Sequence, residues 1–291
     1  MKPRFIDYDD LFNDVQNTWA DGDKPGLTTG IPGLDFNYRI EQGEMCVITG
    51  FPGSGKSEFM DHLSVNLAKL HGFKYAYFSP ETKPAHYHVR RIIQKLYNKS
   101  FHKKANVDQR FRIERIWHSE LLEGMEFYQK HYSLIDSDNN ITIEDIFQIV
   151  QEGADKKGIN GFVIDPWNKL ESSRPSGMTE TDFIGKTLDK ISDFCYRTKI
   201  SCWIVAHPAK PPTNTKGSYM ANLNLYGISG SAHWYNKVDN GIWVYRDVTN
   251  HESLEIELHI LKIKKIDNGK LGKVILDFNP YTGVYTKPLA V

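Results

Sequence analysis

The sequence predicts an α/β domain on a mostly parallel central sheet, extended at its carboxyl end by antiparallel strands. Three observations carry this. Short apolar runs ending in Gly, Asp or His alternate with longer stretches of helical periodicity. One strand-to-helix junction holds Gly50-Phe51-Pro52-Gly53-Ser54-Gly55-Lys56-Ser57, the G-x-x-x-x-G-K-S/T spacing of a phosphate-binding loop. The tail alternates in strand fashion over 242–245, 254–263, 273–278 and 284–285.

In chain order, residues 1–27 form an arm or linker. Tyr8, Leu11, Phe12 and Val15 make an amphipathic helical face, and Asp21-Gly22-Asp23-Lys24-Pro25-Gly26 breaks it. The face packs either on a neighbouring copy or on its own domain. Residues 28–291 then form one domain. A strand at 44–49 runs into the phosphate loop, and a helix over 57–70 follows with Phe59, Leu63, Leu67 and Leu70 on one face. A second strand spans 74–79. Residues 84–132 read as mostly helical, and Ile135 closes an apolar run. Thr142-Ile143-Glu144-Asp145 has the form of a capping box opening a helix to 157. Residues 161–165 form a strand ending in Asp165, 179–198 a helix, and 201–206 a strand ending at His207. Residues 208–226 lose all periodicity, as functional loops do.

Composition removes several classes. Lys plus Arg and Asp plus Glu both count 36, so the formal net charge is zero. Any nucleic-acid contact therefore comes from local patches. No apolar run approaches the roughly 20 residues of a membrane span, and no targeting signal is visible at the start. Cys46, Cys195 and Cys202 stand at unrelated spacings and read as buried free thiols of a reducing compartment, here taken as the cytoplasm of a bacterial or phage-infected cell. His86 and His88, two apart on a helix, do not share a face, so they make no zinc site.

Ligands of parallel sheets sit at the strands' carboxyl ends, so the polar residue ending each strand is expected to face the nucleotide. Lys56 neutralises phosphate charge and Ser57 ligates Mg²⁺, while the glycines let main-chain N–H groups approach. Gly50, Pro52, Gly53, Ser54, Gly55 and Glu58 complete the nucleotide-contacting run. Asp165 reads as a metal-holding acid, or as a carboxylate opening an Asp-Pro turn. Glu81 polarises an attacking water or is a surface glutamate. His207 reports the γ-phosphate or is an ordinary strand-end histidine. Lys210, Asn214, Lys216, Ser218 and Asn222, followed by 227–232, suit phosphate contacts to single-stranded nucleic acid, or form a solvated excursion. Trp234 and Tyr235 belong to core packing before base stacking. Lys262, Lys264 and Lys265 either complete a neighbouring copy's site or form a solvated strand face.

Taken together, the phosphate loop, Phe78-Ser79-Pro80-Glu81, Val163-Ile164-Asp165-Pro166-Trp167-Asn168, the run 173–181, Val205-Ala206-His207-Pro208 and Ile228-Ser229-Gly230-Ser231-Ala232 resemble the helicase domain of Twinkle-like and phage primase–helicases. These belong to the DnaB-type replicative helicases of RecA fold. The resemblance covers roughly 28–284. It implies a RecA-like P-loop NTPase that binds ATP or another NTP with Mg²⁺. It implies hexameric rings with nucleotide between subunits, 5′-3′ translocation on single-stranded DNA, and possible contact with a primase or other replisome protein. By the same resemblance, Lys56, Glu81 and His207 are catalytic, Ser57 and Asp165 hold the metal, and Lys210, Lys216, Asn222, Ser229 and Gly230 contact DNA.

Two departures stand out. The group's Lys-x-Arg finger reads Lys262-Ile263-Lys264 here, and the one arginine after Arg197 is Arg246. A lysine is a point charge without the guanidinium fork, so either Lys264 serves as a weaker finger or Arg246 contributes. No primase or zinc-binding segment precedes the helicase part, so the chain reads as a fragment, a stand-alone helicase or the partner of a separate primase. The competing readings are a recombination or repair ATPase forming filaments, and a nucleotide-gated loader that does not unwind.

Overall fold

The computed structural model describes residues 5, 7–102, 113–136, 141–209, 223–230, 232–247, 250 and 253–288. Lys210, Asn214, Lys216, Ser218, Asn222 and Ser231 lie outside them. Among the described residues a nine-stranded sheet forms the core, in the order β3-β2-β4-β5-β1-β6-β7-β8-β9. The first six are parallel: β1 (Met45–Thr49), β2 (Tyr75–Phe78), β3 (Tyr132–Leu134), β4 (Gly161–Ile164), β5 (Ser201–Ala206) and β6 (Asn240–Tyr245). β7 (Glu255–Lys262), β8 (Gly272–Phe278) and β9 (Tyr285–Thr286) add on antiparallel. This is the expected mixed sheet with its antiparallel tail.

The central strands are apolar throughout because both faces are covered. Their period of two sorts them between two cores. Cys46, Ile48, Tyr75, Tyr77 and Val163 face α2 (Lys56–His71) and α3 (His86–Tyr97). Met45, Val47, Ala76, Phe78, Phe162 and Ile164 face α5 (Ile143–Lys157) and α6 (Glu180–Thr198). α4 (His118–His131) leads directly into β3, so the expected helical stretch to 132 ends in an edge strand. Thr142 and Asp145 cap α5 reciprocally, as the sequence signalled. Cys46, Cys195 and Cys202 are free and buried. Trp234, on α7 (His233–Lys237), is fully buried, which removes it as a base-stacking surface, whereas Tyr235 is partly exposed.

α1 (Tyr8–Asp21) is a helix with no buried residue. Tyr8, Leu11, Phe12, Val15 and Trp19 are all exposed. Packing of this face on its own domain, one of the two sequence readings, is not what the fold shows.

Candidate nucleotide site

Adjacent parallel strands deliver the site. β2, β4, β5 and β1 lie side by side, and their carboxyl ends carry Glu81, Asp165, His207 and the phosphate loop. The loop takes its shape from glycines at positive φ. Gly53 and Gly55 stand at 78° and 95°, a region that penalises side chains. Gly50 is also sterically required, since a Cβ there would lie 2.2 Å from the Val244 carbonyl of β6.

Lys56, the first residue of α2, folds back over the loop. Its Nζ donates to the carbonyls of Gly50 at 2.7 Å and Phe51 at 3.0 Å. Burial lowers its pKa to about 8, although Asp165 pulls it up. Ser57 donates its hydroxyl to Asp165, and this joins the two expected metal ligands. Burial raises Asp165 to about 6, with Asp61 adding to the rise, while the Ser57 hydrogen bond, Arg91 and Lys56 oppose it. Three buried polar atoms around the loop have no partner among the described residues: Ser54 Oγ, Thr49 Oγ1 and His207 Nδ1. Native interiors rarely leave such groups unmatched, so they fit a polyanion with a hydrated cation.

His207 has its pKa lowered by burial and by the charge of Lys56, while Glu81 opposes the shift. It is therefore neutral near pH 7, and its ring reads both charges. Its main chain is tied forward: Ser229 N donates to His207 O at 3.1 Å, and Ala209 N donates to Gly227 O at 2.8 Å. Gly230 is braced from below. Thr181 Oγ1 donates to its carbonyl, and a Cβ there would lie 2.3 Å from Glu180 Oε1. Among the described residues, then, the strand-end histidine and the start of the expected DNA-contacting segment form one hydrogen-bonded unit.

Glu81 is exposed, held by Lys169 Nζ at 3.1 Å. A pair this solvated is worth about 0–1 kcal/mol and constrains the carboxylate little. Glu58 departs from expectation. Its carboxylate pairs with Lys95 and Arg91 of α3, and so turns away from the inside of the loop.

Sequence reasoning missed three supports. Asp61, buried on α2, receives Arg91 Nε at 2.9 Å and lies 3.5 Å from His88 Nε2. Arg91 and His88 together hold its carboxyl well below the usual range despite burial. Arg91 thus bolts α3 to the helix that carries Lys56 and Ser57. The signal available was an aspartate inside the apolar periodicity of Phe59 and Leu63. The second support is Tyr285 of β9, whose hydroxyl donates to the Gly55 carbonyl at 3.1 Å while its ring stacks on His62. The third is Asp239, at the other end of the sheet.

The two finger candidates separate cleanly. Arg246 follows the carboxyl end of β6, beside its own phosphate loop, and its charge is felt by Tyr285. That location is on the chain's own nucleotide side and removes it as a cation presented to a neighbour. Lys264 follows β7, which runs antiparallel and finishes beside the amino end of β6. Its Nζ pairs with Asp239 at 2.6 Å, and Asp239 Oδ2 accepts the Met45 N–H that begins β1. Five residues of extended chain put roughly 16 Å between that point and the loop, beyond a lysine's reach. A separate cleft of about 670 Å³ behind the Glu81 turn, lined by Tyr77, Pro80, Pro84, Leu134 and Ile135, is mostly apolar and lacks a phosphate donor set.

Among the described residues no group of His, Cys, Asp and Glu forms a zinc-type cluster, and no helix is long and apolar enough to cross a membrane. A Twinkle homolog protein of Arabidopsis thaliana, chloroplastic/mitochondrial, is 32% identical over 286 residues, covering 96% of this chain and 39% of the plant protein. The chain thus spans about two-fifths of that relative's length, and the relative's compartments do not support the bacterial or phage setting expected above. A solved structure of an isolated ATPase domain superposes with a TM-score of 0.77 at 16% identity, over 98% of this chain and 99% of that one. A DnaB-like replicative helicase, solved to study its interactions with primase, gives 0.78 at 17% identity, over 97% of this chain and 68% of that one. These matches show a shared RecA-like fold. A profile described as the DnaB-like helicase C-terminal domain matches residues 26–204, so the chain belongs to that family.

Proposed function

We propose that this domain is an NTP-driven helicase motor that moves 5′-3′ on single-stranded DNA as a ring, with its nucleotide site completed by a neighbouring copy. One observation carries the reading: Lys56, Ser57 with Asp165, Glu81 and His207 converge at the carboxyl ends of four adjacent strands, and His207 is hydrogen-bonded onward to 227–229. Family membership supports the same reading.

Lys56 is the phosphate-binding cation, and Gly50 to Ser57 supply main-chain donors. Ser57 and Asp165 would hold Mg²⁺, which supplies charge neutralisation on the phosphates when bound. Glu81, loosely held by Lys169, orients and deprotonates the attacking water. Neutral His207 offers its unpartnered Nδ1 to the γ-phosphate position and passes its state through the Ser229 bond toward the DNA-contacting segment. Ser229 and Gly230 are proposed DNA contacts together with Lys210, Lys216 and Asn222. Lys264 provides the cation in trans.

The exposed apolar face of α1 supports assembly of the hexamer expected of the family, since Tyr8, Phe12 and Trp19 would otherwise face water. The structural neighbour solved with primase in view supports a primase or other replisome partner.

DNA-stimulated hydrolysis and strand displacement on a forked duplex test this. The wild type should hydrolyse NTP faster with single-stranded DNA and separate the fork, and Lys56→Ala and Glu81→Gln should do neither. A wild type unmoved by DNA would sink the motor reading.

A further inference from the structure

We propose that Asp239 is the positioning residue for Lys264, and that β1 links the cation a subunit gives away to the phosphate loop it keeps. The inference rests on reading Lys264 as the cation that completes a neighbour's site.

Lys264 is held at two points. Its main-chain N–H donates to Asn240 Oδ1 at 3.3 Å, and its Nζ donates to Asp239 Oδ1 at 2.6 Å. Asn240 is itself fixed, because its Nδ2 donates to Glu44 Oε2 at 2.8 Å. Asp239 is buried, while the Lys264 side chain is 55% exposed. An ammonium has three donors, so with one on Asp239 the others remain to be presented outward. The neighbouring lysines point elsewhere. Lys262 Nζ lies on the Tyr235 carbonyl and over its ring, and Lys265 pairs with Glu41.

The second oxygen of Asp239 accepts from Met45 N at 2.8 Å, and Asp239 N donates back to Met45 O at 3.1 Å. Asp239 therefore clamps the first residue of β1 with the same carboxylate that holds Lys264. The other end of β1 is the phosphate loop, with Gly50 against Val244 of β6. β1 and β6 run parallel in register from Cys46 opposite Asn240 to Thr49 opposite Trp243. This pair of strands is a short rigid rod. A shift of the loop against phosphate is transmitted to the carboxylate that aims Lys264 at the next site.

A double-mutant cycle on DNA-stimulated hydrolysis tests this, with Asp239→Asn, Lys264→Ala and the double variant. Asn keeps an oxygen for Met45 N, so thermal unfolding should change little. Asp239→Asn should lower kcat about tenfold with KM for NTP unchanged, the scale of one lost charge-assisted hydrogen bond. In the Lys264→Ala background the same change should have no further effect. Equal losses in both backgrounds would show a merely structural role and overturn the proposal, as would Asp239→Asn retaining full kcat while Lys264→Ala is defective. A fully active Lys264→Ala would instead remove the reading of Lys264 itself, and the proposal with it.

Discussion

The two ends of β1 hold polar clusters of opposite character. At the carboxyl end the groups are incomplete: Ser54, Thr49 and His207 keep buried atoms without partners among the described residues, and Asp165 is pushed up to about 6 by burial. At the amino end the key groups are satisfied: Asp239, Asn240 and Lys264 all have partners, and the lysine charge is stabilised by its carboxylate. An end that needs another molecule reads as a receptor, and an end that is already paired but exposed reads as a donor. In a ring these are the two faces of one interface.

The largest effects should come from breaking the receptor end directly. Lys56→Ala should lower kcat/KM by about 10²–10³ or more, the scale of losing one charged or hydrogen-bonding group from a transition-state cradle. It should do so at any protein concentration. Lys264→Ala should leave nucleotide binding by the isolated chain intact and lower kcat alone, visible only where subunits associate. Hydrolysis and binding measured across a dilution series separate the two.

The frame behind the receptor end is next. Arg91→Met leaves Asp61 buried and unpaired, so it should destabilise by about 3–5 kcal/mol in denaturant unfolding. At the donor end Lys265→Met breaks an exposed pair with Glu41 and should cost about 0–1 kcal/mol.

A pH profile sharpens the contrast. Asp165 carries its proton below about 6, and Mg²⁺ must displace it, so the Mg²⁺ concentration for half-maximal hydrolysis should rise as pH falls through that value. Lys56 loses its charge above about 8, so KM for NTP should rise there. Lys264, whose pKa is raised by its bond to Asp239, should stay charged across this window, leaving the donor end flat. The smallest effect is expected from Tyr285→Phe. It removes one hydrogen bond to the Gly55 carbonyl and should cost about 1 kcal/mol, seen as a severalfold rise in KM.

The receptor end was largely legible from sequence, because its parts are local signals: a glycine spacing, and apolar runs ending in Asp165 and His207. The parallel sheet and its antiparallel tail followed from the same alternation. The bolts were not legible. Arg91 on Asp61, Tyr285 on Gly55 and Asp239 on Lys264 are long-range pairs between exposed-type residues, and no periodicity links their positions. Periodicity likewise showed that α1 is amphipathic without showing that its own domain leaves the apolar face open. The choice between Lys264 and Arg246 needed topology, since only strand direction reveals that they lie at opposite ends of the sheet.

Subunit mixing tests the composite site most directly. Glu81→Gln lacks a working receptor end and Lys264→Ala lacks a donor end, so each alone should be nearly inactive. Mixed before assembly in equal amounts, they should regain about a quarter of wild-type DNA-stimulated hydrolysis, because one interface in four then pairs an intact Glu81 with an intact Lys264. A mixture no more active than the mean of its two components would contradict a site shared between neighbouring subunits.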